Sequence, residues 1–293
     1  MSILSSLFFS RNLACLIGVW AVALMGGCAS RPAPPEMPIV QLPRGDGVPA
    51  TAARLDALLP ADVLLIGEQH NAAEHQQLEQ QVIALLAARG LLAAVALEMA
   101  EAGVSTASLQ PSSTEEQTRH ALKWDNKGWP WAAYGPVVMT AVRAGVPVLG
   151  ANLPRSRHQD SINDSQLERQ LPGPALKVQQ QRIRVSHCDL LPESQLVPMA
   201  RLQIAKDITM ANMLSQAALP GKVVVLLTGS GHADRTLGVP LHLPADLRIK
   251  AIQLRAGDAA GNKSGAAFNS VWLTPALPEM DYCADLRKKY LPK

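Results

Sequence analysis

The sequence predicts an α/β domain built on a mainly parallel central sheet flanked by helices. Three observations predict it. Short Val/Leu/Ile/Ala runs alternate with longer stretches of helical period, the pattern of strand–helix–strand units. The first four runs are unbroken rather than alternating, as in a sheet covered on both faces. Two runs end in one signature, Gly67-Glu68-Gln69-His70 and Gly229-Ser230-Gly231-His232. Open parallel sheets place ligand sites at the carboxyl ends of their strands, so His70 and His232 are expected at one site.

The chain begins with an address. Arg11 precedes an apolar core from Leu13 to Leu24, too short for a helix that spans a bilayer. Leu24-Met25-Gly26-Gly27-Cys28 then places small residues before a cysteine, as in a bacterial lipobox, with Met25 where leucine is usual. Residues 1–27 are therefore read as a lipoprotein signal peptide and Cys28 as the lipidated residue. Ala29 rather than Asp after it points to the outer membrane of a two-membrane cell. Residues 28–50 carry Pro32, Pro34, Pro35, Pro38, Pro43 and Pro49 and no apolar period, the composition of a semi-rigid tether. Residues 51–293 form the remaining α/β domain, enough chain for one sizeable core.

Removing the signal takes Arg11 away and leaves 26 basic against 24 acidic residues, a formal charge of +2. That balance, with no basic block, excludes nucleic acid as a partner. Cys188 and Cys283 remain besides Cys28. In an exported domain they have the means to close one disulfide, and paired and free thiols both stay open. No Cys-x-x-Cys or other closed zinc spacing occurs.

Strands are expected at 62–66, 93–97, 146–150, 222–228, 248–254 and 268–274. Leu78, Val82, Leu85 and Leu86 share a helix face, and Gly90 stops that helix. Ser113 and Glu116 have capping-box spacing for a helix running to about Trp124. A short helix is expected over 136–144. From 160 to about 216 the chain is largely helical, broken near Pro172-Gly173-Pro174 and at Leu191-Pro192.

Each of the four best strands ends in polar residues: Glu68 and His70, then Glu98, then Asn152 and Arg155, then Ser230, His232, Asp234 and Arg235. Parallel strands share a direction, so these residues line one rim. Two imidazoles with one or two carboxylates suit a metal site or acid–base chemistry. Asn71 and Ser230 also have the chemistry of helix caps. A second patch is the loop Trp124-Asp125-Asn126-Lys127-Gly128-Trp129-Pro130-Trp131, with Tyr134 close behind. It holds three of the five tryptophans in the chain. Clustered in a Gly/Pro-rich loop, they read as a flat apolar wall for a planar ligand, and a tyrosinate suits ferric haem iron. His120, His158 and His242 read as surface residues.

These pieces occur in a fixed order: Gly67-Glu68-Gln69-His70, Ala96-Leu97-Glu98-Met99, Gly128-Trp129-Pro130-Trp131 with Tyr134 and Pro136, Gly150-Ala151-Asn152-Leu153-Pro154-Arg155, and Thr228-Gly229-Ser230-Gly231-His232-Ala233. Gln203, Lys206-Asp207, Met210-Ala211 and Asp281-Tyr282-Cys283 complete the set. In combination, over about residues 50 to 290, the chain resembles the ChaN family of iron-regulated, haem-binding lipoproteins. Lys206 stands where the family pattern leads one to expect arginine. The family sits in a superfamily with the Tiki proteases and erythromycin esterases, whose paired Gly-x-x-His motifs and glutamate match His70, His232 and Glu98.

The resemblance implies haem binding in haem or iron uptake or storage. It implies a homodimer enclosing two facing haems, supplied through an outer-membrane haem receptor. Iron would be held by a tyrosine of one subunit, and histidine and lysine of the other would contact the propionates. Tyr134, in the aromatic motif, is the expected iron ligand and Tyr282 the alternative. Trp129, Trp131, Asn152 and Arg155 are the expected cofactor contacts, and Lys127, His75 and His187 the candidates for the propionates. The alternative function is a hydrolase of protease or esterase type. It would use a divalent metal at His70, His232 and Glu98, and a water activated with Glu98 or Glu68 as base.

Overall fold

The computed structural model describes residues 47–257 and 267–290. The expected signal peptide, Cys28 and the expected tether up to residue 46 lie outside the described residues. Strands β1 (Val63–Glu68), β2 (Leu92–Glu101), β3 (Val148–Asn152), β4 (Val223–Gly229), β5 (Ile249–Ala256) and β6 (Ser270–Thr274) form one sheet. Its order is β3-β2-β4-β1-β5-β6 and every strand pairing is parallel. The helices are α1 (Gly47–Asp56), α2 (Ala73–Ala88), α3 (Glu115–Ala121), α4 (Trp131–Arg143), α5 (His158–Asn163), α6 (Gly173–Ser186), α7 (Glu193–Ala217), the single turn α8 (Ser230–Ala233) and α9 (Tyr282–Tyr290).

Alternation along the strands divides the core in two. Leu64 and Ile66 of β1, Leu97 of β2 and Leu227 of β4 pack beneath α1, α2 and α4. Val63, Leu65, Ala96 and Leu226 point the other way, onto Met210, Ala211 and Leu214 of α7. These three strands are buried on both faces, which is why their sequences are unbroken apolar runs. The chain leaves β1 for β2 and later returns to insert β4 between them, so the sheet's switch point lies at β1 and β4. Their register sets Gly67 opposite Thr228 and Glu68 opposite Gly229. The two Gly-x-x-His elements are therefore neighbours, as expected from their place at parallel strand ends.

Several boundaries move, each for a local reason. α1 begins at Gly47, so the last residues assigned to the tether form a helical turn; Pro49 fits there because the first turn needs no intrahelical N–H. The capping box is Thr114 with Gln117 rather than Ser113 with Glu116. Ser113 Oγ instead accepts from Gln110 N at 3.1 Å. α4 begins at Trp131, not near 136, which makes Trp131 and Tyr134 helical residues facing the core. Asn71 does not cap α2, whose N-cap is Ala72. Ser230 is the first residue of α8, and its hydroxyl donates to the carbonyls of Gly67 and Glu68, both at 3.1 Å. Cys188 and Cys283 are joined, with Cα atoms 5.8 Å apart. The bridge ties the corner after α6 to the start of α9.

Candidate functional site

Glu68 closes β1 and is buried on the α2/α4 side. Its Oε1 accepts from Tyr134 OH at 2.8 Å and lies 2.8 Å from His70 Nδ1. Its Oε2 accepts from Gln76 Nε2. With Nδ1 held by a carboxylate, His70 directs Nε2 toward Gly229, 3.0 Å from where a Cβ on that glycine would stand, and its side chain is 39% exposed. Trp129 braces the ring edge-on at 4.9 Å. Burial works against charge on His70, but the Glu68 hydrogen bond and the nearby Glu98 and Glu68 charges outweigh it and raise its pKa.

Glu98 lies one residue past the Leu97–Leu227 pairing, on the α7 side of the sheet. Its Oε2 accepts from Thr228 Oγ1 at 2.7 Å and from Gly229 N at 2.8 Å, and its Oε1 stands 3.5 Å from His232 Nε2. Burial opposes ionisation here. The charges of His232 and His70 and the two hydrogen bonds prevail and hold its pKa at about 2. His232 Nδ1 lies 2.6 Å from Asp207 Oδ1. Burial pushes Asp207 up to about 6 despite its partner. Burial also disfavours charge on His232, yet the Asp207 and Glu98 carboxylates raise its pKa above the ordinary 6.5. The rim thus carries two imidazole–carboxylate pairs around one ionised glutamate.

A cleft of about 580 Å³ opens beside Glu98. Met99, Val104, Leu122, Trp129 and Leu153 give it apolar walls; Lys123, Arg155, Lys206 and His158 meet Glu101 and Asp125 at its polar side. Arg155 pairs with Asp125 at 2.7 Å. Asn152 Nδ2 donates to the Glu98 carbonyl at 2.8 Å, and its buried Oδ1 has no protein partner.

Residues 54–243, well over half of the chain, match the family described as haem-binding uptake, Tiki superfamily, ChaN. The chain belongs to the ChaN family. Among solved structures, ChaN of Campylobacter jejuni, described as showing cofacial haem binding, aligns with a TM-score of 0.60 and 27% identity over 71% of this chain and 86% of that one. An erythromycin esterase, EreC, aligns at TM-score 0.45 and 16% identity over 86% of each chain. The type III effector HopBA1 aligns at 0.44 and 17% over 82% of this chain and 99% of that one. No curated protein matches the chain.

Within this ChaN-family domain, the structure brings His70, Glu68, Glu98 and His232 together as the sequence led us to expect, and sets Trp129, Asn152 and Arg155 in one cleft. It does not bring Tyr134 to a ligand surface. Tyr134 is 1% exposed, and its hydroxyl is committed to Glu68. Burial and then the Glu68 charge raise its pKa strongly, which disfavours the phenolate there. Trp131 is likewise core, its indole N–H donating to Glu115 at 2.8 Å. The aromatic patch is thus half scaffold, with Trp124, Trp129, Trp131 and Tyr134 packed on one another.

His75 is buried and structural. Gln69 N donates to its Nδ1 at 2.9 Å, so Nε2 carries the proton and donates to Thr274 Oγ1 at 3.0 Å. His158 and His242 are half-buried rather than surface residues, and His158 lines the cleft. The proposed divalent-metal set does not fit. Among the described residues no three His, Cys, Asp or Glu side chains are disposed to hold a metal ion. Glu98 is saturated on one oxygen and serves the histidines as counter-ion. The reading from sequence missed the role of Asp207. The available signal was a carboxylate in line with Ile204, Met210, Ala211 and Leu214 on the buried face of α7.

Proposed function

We propose that this ChaN-family chain binds haem and serves haem or iron uptake or storage at the bacterial envelope. Family membership carries the reading, and the cofacial haem binding of the Campylobacter relative supports it. Haem asks for apolar contact, for cations near its propionates and for an axial donor such as a tyrosine oxygen. Tyr134 does not fit that last role. Tyr282, 61% exposed at the start of α9, does. A cofacial pair implies two protein surfaces, so the proposal includes a homodimer closed around the haems. It also includes lipidation at Cys28, attachment to the outer membrane and delivery from an outer-membrane haem receptor. Titrating haemin into the purified chain is expected to give a saturable Soret shift, with the sedimenting mass doubling as haem is added. A spectrum that remains that of free haemin sinks the proposal.

One observation favours a second reading, in which the rim is hydrolytic. His70 and His232 each have Nδ1 fixed by a carboxylate, an arrangement that orients imidazoles for proton transfer at Nε2. In that reading one imidazole takes a proton from water and the other returns one to the leaving group, with Glu98 as their counter-ion. We expect less than one metal ion per purified chain by elemental analysis, and any esterase activity to vanish in His232→Ala. A stoichiometric metal lost in His70→Ala would restore the metal-dependent version.

A further inference from the structure

The cleft beside Glu98 holds more cationic capacity than the protein itself uses. Its carboxylates already have partners within the chain. Glu98 accepts from Thr228 Oγ1 and Gly229 N, and Glu101 Oε1 accepts from Arg155 N at 3.2 Å. Asp125 holds the Arg155 guanidinium and accepts from the backbone N–H groups of Lys127 and Gly128. The cations are served differently. Arg155 is committed to Asp125, but among the described residues neither Lys206 nor Lys123 is paired with a carboxylate.

Lys206 is half-buried on α7, next to the Asp207 that grips His232, and its charge is felt at both of those side chains. Lys123 follows α3 at φ +46°, the left-handed position just past a helix where glycine is the usual residue. An ammonium withdrawn from water without a partner is costly. Lysine at Lys206 therefore argues for an anion that comes from outside the chain. The facing wall is apolar, made by Met99, Leu122, Trp129 and Leu153. The volume of about 580 Å³ suits a small molecule, and such sites join an apolar lining to a few convergent polar groups. Among the described residues that line the cleft there is no tyrosine, so a phenolate would hold iron elsewhere.

We propose that this cleft binds a small amphipathic carboxylate other than haem. The carboxylate sits on Lys206, and the hydrocarbon body lies against Trp129, Leu122 and Leu153. Lys123, the more exposed of the two lysines, adds attraction for the anion. Iron has no part in this site, which stands apart from the haem reading above.

Calorimetric titration of the full chain with octanoate tests this, with octanamide as the uncharged counterpart. Octanoate is expected to bind once per chain. It should shift the indole N–H resonance of Trp129 but not that of Trp272, which is buried in the core. Octanamide is expected to bind about tenfold more weakly, and Lys206→Met to weaken octanoate by about the same factor, the scale of one charged hydrogen bond. Lys206→Arg should restore binding, and Lys177→Met, on α6 and outside the cleft lining, should leave it unchanged. Equal affinity for octanoate and octanamide overturns the proposal, as does full affinity in Lys206→Met or no octanoate binding by wild type. Haemin that displaces octanoate and itself loses affinity in Lys206→Met would assign the cleft to haem propionates. That result overturns the proposal and leaves haem binding intact. Octanoate binding with the expected Lys206 dependence, in a chain that takes up no haemin, supports the site and sinks the haem reading alone.

Discussion

Glu98→Gln is expected to lower the free energy of unfolding by about 3–5 kcal/mol at pH 7, the usual loss when one partner of a buried charge cluster is removed. The amide cannot accept from both Thr228 and Gly229 while countering two imidazoles. The pH profile should change with it. Glu98 is depressed from 4.5 to about 2, so its contribution is present above 4.5 and is lost as pH falls toward 2. His70 and His232 are raised above 6.5, so theirs is present below 6.5 and is lost as pH rises past their folded values. Wild-type stability should therefore peak at mildly acid pH. Asp207, raised from 3.8 to about 6, draws that peak further to the acid side. Denaturant unfolding from pH 3 to 8 checks this: the acid limb should flatten in Glu98→Gln, and imidazole titration by NMR should show both histidines falling. A variant within about 0.5 kcal/mol of wild type at pH 7, with its acid limb intact, would show that the cluster is not electrostatically coupled.

Gly150→Ala carries the other large effect, a loss of about 3 kcal/mol, at the upper end of overpacking costs. After β2 the chain turns at Gly103, whose φ is +96°, and runs back along β3, with Gly150 N donating to Val104 O at 2.9 Å. A Cβ on Gly150 would meet the Glu101 carbonyl oxygen at 2.0 Å and its carbon at 2.8 Å. Both atoms are backbone, so the two segments must part, taking Asn152 and the Glu98 carbonyl out of register. Gly231→Ala, in the second Gly-x-x-His element, is the control, because nothing lies within 4 Å of a Cβ there. It should stay within about 0.5 kcal/mol of wild type. Equal melting temperatures for the two variants would refute the account of Gly150.

Much of the rim was legible because parallel strands make it so. Once β1, β2, β3 and β4 are recognised as buried parallel strands, Glu68, Glu98, Asn152 and the two histidines must sit at one edge. The aromatic patch was misjudged because proline and glycine in Gly128-Trp129-Pro130-Trp131 read as a loop throughout. In fact Pro130 is the N-cap of α4, and the helix swings Trp131 and Tyr134 inward. Asp207 stood among the ordered motif residues without a role, because its partner is on another element, 25 residues on.

By itself, the sequence determined the sheet, its direction and the residues along its carboxyl edge, because strand burial and alternation are written locally in side-chain type. Family membership follows from the same ordered motifs. Only the tertiary structure decided which tyrosine is reachable. Tyr134 and Tyr282 are chemically identical in the sequence, but one is sealed over Glu68 and the other is carried to the surface beside a disulfide. Solvent access and electrostatic environment depend on what packs around a side chain, and those neighbours come from segments far apart in the chain.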